Sequence, residues 1–316
     1  MTVPVAAGAR VGWEELPDWL RGAIEQICGS AVVQARTQPG GFSPGVAARV
    51  RCTDGTRHFV KAVSADANPL SPAMHRREGQ VLAALDSVIA ARDLPVPRLR
   101  GMVDREPWVA LVTDDVAGQP PALPWVSAEL VQVMAALERL AQALTPAPIS
   151  VPALGESLGE AFTGWRTLAK AGGAAGLDRW SLARLDDLAA LEETWVGRSA
   201  GETLLHTDIR ADNLLLTGDR VVVVDWPGAC RGAAFVEPVL FAPSVAMQGG
   251  PELPDLLALS NAGRSAGRQA LAAVLCAVAG YLTYGSLQPP PPGLPTVRAF
   301  QAGQGHIARR WLAEFI

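Results

Sequence analysis

The stretch LLHTDIRADNLLLTGDRVVVVDW, residues 204–226, holds three oxygen-bearing side chains, Asp208, Asn213 and Asp225, among strand-forming residues, with His206 two positions before the first. Leucines at 214–216 and valines at 221–224 flank Thr217-Gly218-Asp219-Arg220, which predicts a tight hairpin between two buried strands. Antiparallel pairing carries the entry of the first strand and the exit of the second to the same end. Asn213 and Asp225 therefore meet beside Asp208. Three such groups in one place call for a cation or a reacting proton. Taken singly, either Asp reads as a turn cap and His206 as a core histidine with a satisfied ring.

The arrangement resembles the catalytic segment of the kinase fold, in which an H-x-D-x-x-x-x-N loop precedes a metal-binding Asp. Here that loop runs from His206-Thr207-Asp208 to Asn213. Among kinase-like families it is similar to the aminoglycoside phosphotransferases, small-molecule kinases whose wording is a His-Gly-Asp loop followed by Asp-Trp or Asp-Phe. Thr207 departs from that wording, and it lacks the charge of the Arg with which protein kinases grip a phosphorylated activation loop, so regulation of that kind is not expected. The resemblance implies an α+β, protein-kinase-like two-lobed fold: a small β-rich nucleotide-binding lobe over residues 1–115 and a larger, mainly α-helical catalytic and substrate-binding lobe over 116–316. It also implies ATP and Mg2+ in the cleft. Asp208 is then the catalytic carboxylate that orients a small-molecule hydroxyl and takes its proton, with Asn213 and Asp225 as metal ligands.

Upstream, residues 13–28 carry apolar positions at helical spacing, and residues 38–45 form a glycine-rich segment before strand-like residues 46–52, a turn at Asp54-Gly55 and a strand at 58–63. In the resemblance the glycine-rich segment, with Gly41 and Ser43, is a flap over nucleotide phosphates. By itself it reads as a plain turn, matching neither G-x-G-x-x-G nor a Walker A loop. Lys61 lies in the apolar run FVKAV and needs an anion. Glu78, on a helix expected over 72–90, is that anion in the resemblance, orienting a lysine that holds the α- and β-phosphates. The plainer reading has Lys61 snorkelling from an edge strand. Arg76 and Arg77 read as solvated helix charges. Another strand pair ends at 108–113, and the lobes are expected to join near Asp114-Asp115 and the following prolines. By resemblance, backbone groups of Val112, Asp114 and Val116 hold the adenine edge.

Two other function classes compete. Gly41-Phe42-Ser43-Pro44-Gly45 fits G-x-S-x-G, the nucleophile elbow of an α/β-hydrolase-type serine esterase. The elbow should follow a strand and open a helix, and Pro44 lacks the N–H that the oxyanion hole requires. A nucleotide-binding pseudokinase is disfavoured because Lys61, Asp208, Asn213 and Asp225 are all present.

The composition, 49% hydrophobic and 18% charged over 316 residues, excludes a disordered chain. A net charge of −4 gives no general attraction to nucleic acid or anionic membranes. Cys28, Cys52, Cys230 and Cys276 show no C-x-x-C pair and no His at zinc-ligand spacing, so they read as reduced, buried small residues. The N-terminus lacks a signal pattern, and the apolar run 270–282 is too short to span a bilayer, so a cytoplasmic enzyme is expected. Helices are expected at 127–144, 156–171, 178–196, 252–260, 264–284 and 296–315, with Trp165, Arg166, Trp180 and Arg184 read as core packing ahead of a cleft role. In the family a helix-opening Asp after the metal site braces the catalytic loop, and the nearest acid here is Glu237, longer and followed by Pro238. Residues 238–316 hold only Glu252, Asp255 and Glu314 as acids against five arginines, which points to a neutral or weakly charged acceptor rather than a polyamine. Glu156, Glu160 and Asp178 are the other acids within reach of such a site.

Overall fold

In the computed structural model, which describes residues 10–38, 40–41, 44–218 and 220–316, a 3-10 turn at Trp13–Glu15 leads into α1 (Asp18–Cys28). Strands β1 (Val32–Thr37), β2 (Val46–Cys52) and β3 (Arg57–Ser64) follow, then α2 (Ser71–Arg92) and strands β4 (Leu99–Arg105) and β5 (Trp108–Asp114). The five strands form one antiparallel sheet in the order β1-β2-β3-β5-β4. Alternation of side chains sorts its faces. Val50, Val60, Ala62, Ala110 and Val112 pack with Leu20 and Ile24 of α1. Lys61 and its cross-strand partner Leu111 lie on the opposite face, where α2 comes close enough that a Cβ on Gly79 would sit 3.0 Å from Leu111 Cδ2. A central charged residue on β3 is thereby aimed at α2, which is the geometry that unites Lys61 with Glu78.

β1 carries little signal in sequence, since Val-Val-Gln-Ala-Arg-Thr lacks a period of two and its burial is shallow, as an edge strand allows. At the start of β2, Gly45 has φ 112° and a Cβ there would lie 2.3 Å from the Ala62 carbonyl oxygen, so only glycine fits. Arg76 and Arg77 are not simply solvated. Arg76 is paired with Asp104 (2.9 Å) and Glu106 (2.8 Å), and Arg77 reaches across to Ser157 Oγ (2.9 Å) and the Ala229 carbonyl (3.0 Å).

The remainder is mainly helical: α3 (Ser127–Ala143), α4 (Leu154–Leu158), α5 (Gly164–Lys170), α6 (Arg179–Leu182), α7 (Leu185–Glu193) and α8 (Trp195–Arg198). Four short strands come next, β6 (Thr203–Leu205), β7 (Leu214–Leu216), β8 (Val221–Val223) and β9 (Cys230–Gly232), with β7-β8 and β6-β9 as antiparallel pairs. Helices α9 (Val236–Met247), α10 (Leu253–Ala258), α11 (Asn261–Ser265), α12 (Arg268–Ser286) and α13 (Val297–Leu312) complete the chain. Trp165, Trp195, Trp226 and Phe241 are fully buried among these elements. Trp165 is core, as expected, with its indole N–H on the Cys276 carbonyl (2.9 Å).

Several expected helices are broken. The 156–171 segment divides into α4 and α5 around Gly159, and Gly164 opens α5 where a Cβ would lie 2.1 Å from the Gly280 carbonyl oxygen of α12. The 178–196 segment becomes α6, α7 and α8; Asp178 caps Ser181 N–H (2.9 Å), and at the second break Thr194 Oγ1 bonds back to the Leu191 carbonyl (2.8 Å). Gly267 separates α11 from α12. By length and composition α12 is apolar enough to cross a membrane, but 67% of its apolar window is buried inside the molecule, and its composition is that of a core helix. All four cysteines are free and buried.

Candidate active site

The β7-β8 register, Leu214↔Val223 to Leu216↔Val221, closes at its open end with Val224 N–H on the Asn213 carbonyl (3.0 Å). This is the end at which Asn213 and Asp225 meet. Asn213, in the 3-10 turn Ala211–Asn213, points its amide nitrogen at the backbone oxygen of Asp208 (2.8 Å) and at Asp208 Oδ2 (3.3 Å). His206 is a core histidine: Asp208 N–H donates to its Nδ1 (3.2 Å), so Nε2 carries the proton and donates to the Val224 carbonyl (2.9 Å). Burial pushes its pKa down to about 4, which keeps the ring neutral.

Thr207 and Asp225 have φ of 67° and 71°, in the left-handed region that β-branched residues avoid. That conformation explains why glycine suits position 207. Here the His206-Thr207 backbone and the threonine hydroxyl are held by three contacts instead. Its N–H and that of His206 donate to Glu237 Oε1 (2.8 Å) and Oε2 (2.6 Å), and its hydroxyl donates to the Gly228 carbonyl (3.0 Å). Gly228 is needed for that approach, since a Cβ there would lie 2.4 Å from Thr207 Oγ1. Glu237, at the start of α9, thus braces the loop despite its length, and burial pushes its pKa up to about 7.

Lys61 Nζ sits between Glu78 (2.8 and 2.9 Å) and Asp225 Oδ1 (2.6 Å). Burial disfavours each charge. For Lys61 and Asp225 the attraction outweighs it, raising the lysine's pKa and lowering the aspartate's, while Glu78 stays net raised by burial against the pull of Lys61. Asp208 is 42% exposed to the cleft, and desolvation pushes its pKa up to about 6 against the pull of Arg210, whose Nη1 is 2.5 Å from Oδ1. Gly40 lies beside this loop: a Cβ on it would sit 3.8 Å from Asp212 Cβ, and Arg10 donates to the carbonyls of Gly40 and Gly41. Ser43, the flap serine and the candidate esterase nucleophile, lies outside the described residues. The chain after it enters β2 instead of a helix, which removes the elbow geometry.

Val112, Asp114 and Val116 are not gathered with these groups. Val112 is in mid-ladder between Val60 of β3 and Gly101 of β4, so its N–H and carbonyl belong to the sheet. The Val116 carbonyl accepts from Arg49 and from Gly118 N–H (2.8 Å). Asp114 is tied to Arg100 and, through Oδ2, to Arg98 N–H (3.3 Å). The backbone of Val112 and the Val116 carbonyl are thus engaged within the protein. Nor is the acidic pair an ordinary exposed turn, since Asp115 is paired with Arg49 (3.0 Å) and Arg57 (2.9 Å).

A cavity of about 450 Å³ opens beside Asp208 and Asp225. Its walls are mostly apolar, with Phe162, Leu240 and Val278 among them, and its uncharged polar groups include Tyr281, Gln301 and Gln304. Among the described lining residues the only acids are Glu78, Asp208 and Asp225. Arg166, Trp180 and Arg184 stay out of the lining; Arg166 pairs with Glu192 (3.1 Å) and Arg184 stacks on Trp180. Two residues of the site carry no clear sequence signal. His75, buried three positions before Glu78, has Nδ1 3.0 Å from the Ser71 carbonyl and a pKa pushed down to about 4 by burial and by Lys61. Arg210, two positions after Asp208, ties it to Asp212 (3.0 Å).

A family model described as "Phosphotransferase enzyme family" matches residues 41–274. No curated protein sequence matches. Among solved structures, a type VIII aminoglycoside-3'-phosphotransferase superposes with a TM-score of 0.53 at 20% identity, over 84% of this chain and 98% of its own. The choline kinase LicA from Streptococcus pneumoniae gives 0.62 at 12% identity, over 94% and 98%. The amicoumacin kinase hAmiN, solved with AMP-PNP and Ca2+, gives 0.58 at 10% identity, over 93% and 94%. At these identities the likeness is one of fold.

Proposed function

The chain belongs to the phosphotransferase enzyme family, as a small-molecule kinase with a hydroxyl acceptor, and from that premise we propose that it transfers the γ-phosphoryl group of ATP, with Mg2+, to a neutral or weakly charged alcohol. The observation that carries this reading is the convergence of Asp208, Asn213, Asp225 and the Lys61–Glu78 pair, with Glu78, Asp208 and Asp225 lining one cavity. Asp208 orients the acceptor hydroxyl and takes its proton; a carboxylate with a pKa raised to about 6 is a better base than an ordinary one and is still ionised at pH 7. The amide oxygen of Asn213 and the carboxylate of Asp225 are hard donors suited to Mg2+, which neutralises charge on the phosphates. Lys61, steadied by Glu78, takes the phosphate oxygens, and the Gly40-Gly41 backbone covers them. His206 and Glu237 hold the loop and do no chemistry. The same reading divides the chain into a nucleotide-binding lobe over residues 1–115 and a catalytic lobe over 116–316, working in the cytoplasm.

A screen of hydroxylated metabolites and antibiotics, read by ADP release and by mass gain of a phosphoryl group on the acceptor, tests this. Transfer is expected for the wild type and for Ser43→Ala, because the flap acts through its backbone. Loss of all activity in Ser43→Ala, with covalent labelling of Ser43 by a phosphonate probe, overturns it in favour of ester hydrolysis.

A further inference from the structure

Far from the cleft, three soft ligand groups converge at one end of the sheet. Cys28 ends α1, Cys52 ends β2 and His58 lies near the start of β3, and their Sγ and imidazole nitrogen atoms all lie within 4.8 Å of one another. Antiparallel pairing explains the meeting. His58 is the Cα partner of Val50, so it shares a face with Val50 and with Cys52 two residues on, and that is the face that α1 covers.

The imidazole is out of place as a packing residue. Both Nδ1 and Nε2 are sealed from solvent with no hydrogen-bond partner among the described residues, although a neutral ring has one donor and one acceptor to satisfy.

We propose that Cys28, Cys52 and His58 form a binding site for one Zn2+ ion that ties α1 to β2 and β3. Two thiolates and one imidazole are a borderline-soft donor set that selects zinc over Mg2+ or Ca2+. Ligand atoms at zinc bond lengths in a tetrahedron lie about 3.3–3.8 Å apart, so no pair in the group needs to close by more than about 1.5 Å. One ring nitrogen gains a partner, both thiols give their protons to solvent, and the fourth position is left to water or a neighbouring carboxylate. The ion is structural and does not depend on the phosphotransfer reading.

The test uses the reduced, metal-free full chain titrated with Co2+ alone as the spectroscopic probe, in excess Mg2+ to occupy hard oxygen ligands. A near-ultraviolet thiolate-to-cobalt band is expected to saturate at about one ion per chain and to be displaced by Zn2+. Cys28→Ser and Cys52→Ser abolish it, His58→Phe weakens it, and Cys276→Ala, whose thiol bonds to the Leu188 carbonyl (3.4 Å) elsewhere, keeps it. Saturating Zn2+ raises the wild-type Tm by about 5 °C, and leaves that of Cys52→Ser unmoved. Should a serine variant fail to fold, alkylation of the wild type mapped by mass spectrometry decides, with Cys28 and Cys52 protected by Zn2+. The proposal is overturned by a folded wild type with no thiolate band, by a full band in Cys52→Ser, or by thiols that Zn2+ does not protect.

Discussion

Asp208 shows how far a single side chain is tuned by its surroundings. Its charge is disfavoured by desolvation and by Asp225 and Asp212, and favoured by Arg210, with a net pKa of about 6. In the proposed reaction the working form is the carboxylate, so kcat/KM for nucleotide, which reports the free enzyme, is expected to hold above pH 6 and fall as pH drops through about 6. Arg210→Gln removes the group that pulls the pKa down, so its acid limb should move to higher pH. A pH–rate profile checks both statements, and an acid limb near that of an ordinary carboxylate contradicts the first. Lys61 and Asp225 are legible in sequence because each interrupts an apolar run, and Asp208 and Asn213 because of their spacing after His206. Arg210 and His75 are not, because their place in the site depends on which charges the fold sets beside them. The same holds for Cys28, Cys52 and His58, whose spacing matches no ligand motif until the strands pair.

At the scale of elements, the β7-β8 hairpin is legible from local signals: apolar runs, a Gly-containing turn and polar residues at matching ends. Helix α9 is less so, since it carries Pro243 in its interior and starts in Phe-Val-Glu-Pro. Its contribution is Glu237, which accepts the N–H groups of His206 and Thr207. Glu237→Ala leaves two amides without partners around a residue already at positive φ, and is expected to cost about 2–4 kcal/mol of stability. Glu237→Gln, which keeps one acceptor oxygen, should lose about half of that. Chemical denaturation of the two variants checks the order; an alanine variant as stable as wild type would mean that the loop holds its shape without α9. The broken helices between 154 and 198 escape the sequence because helical periodicity persists across both breaks, where close packing of Gly164 on α12 and the Thr194 hydroxyl bond depend on the fold.

At the scale of the whole molecule, the order of a β-rich region followed by a helical one is legible, and so is the shortage of acids over residues 238–316. The cavity adds to the charge argument. None of Glu156, Glu160, Asp178 and Glu314 lines it among the described residues, and Asp178 is engaged by Arg309 (2.8 Å). Each ammonium of a polyamine would lose water there without a carboxylate to replace it, apart from those already used by the site. Kanamycin-like polyamines are therefore expected to be poor acceptors even at low salt, where charge recognition is strongest. A steady-state kcat/KM for such a compound of about 10⁵ M⁻¹s⁻¹ or more, within the ordinary enzyme range, would show the argument to be wrong.

The central claim is that Asp208 does the chemistry of phosphoryl transfer while Lys61, Asn213 and Asp225 hold what is transferred. Asp208→Asn separates these roles, since it keeps the shape and removes the base. Turnover of this variant on an accepted alcohol, measured alongside its nucleotide affinity, is expected to fall about 10²–10⁴-fold in kcat with nucleotide binding nearly unchanged. Turnover within a few-fold of wild type, or a loss confined to nucleotide binding, would contradict the account.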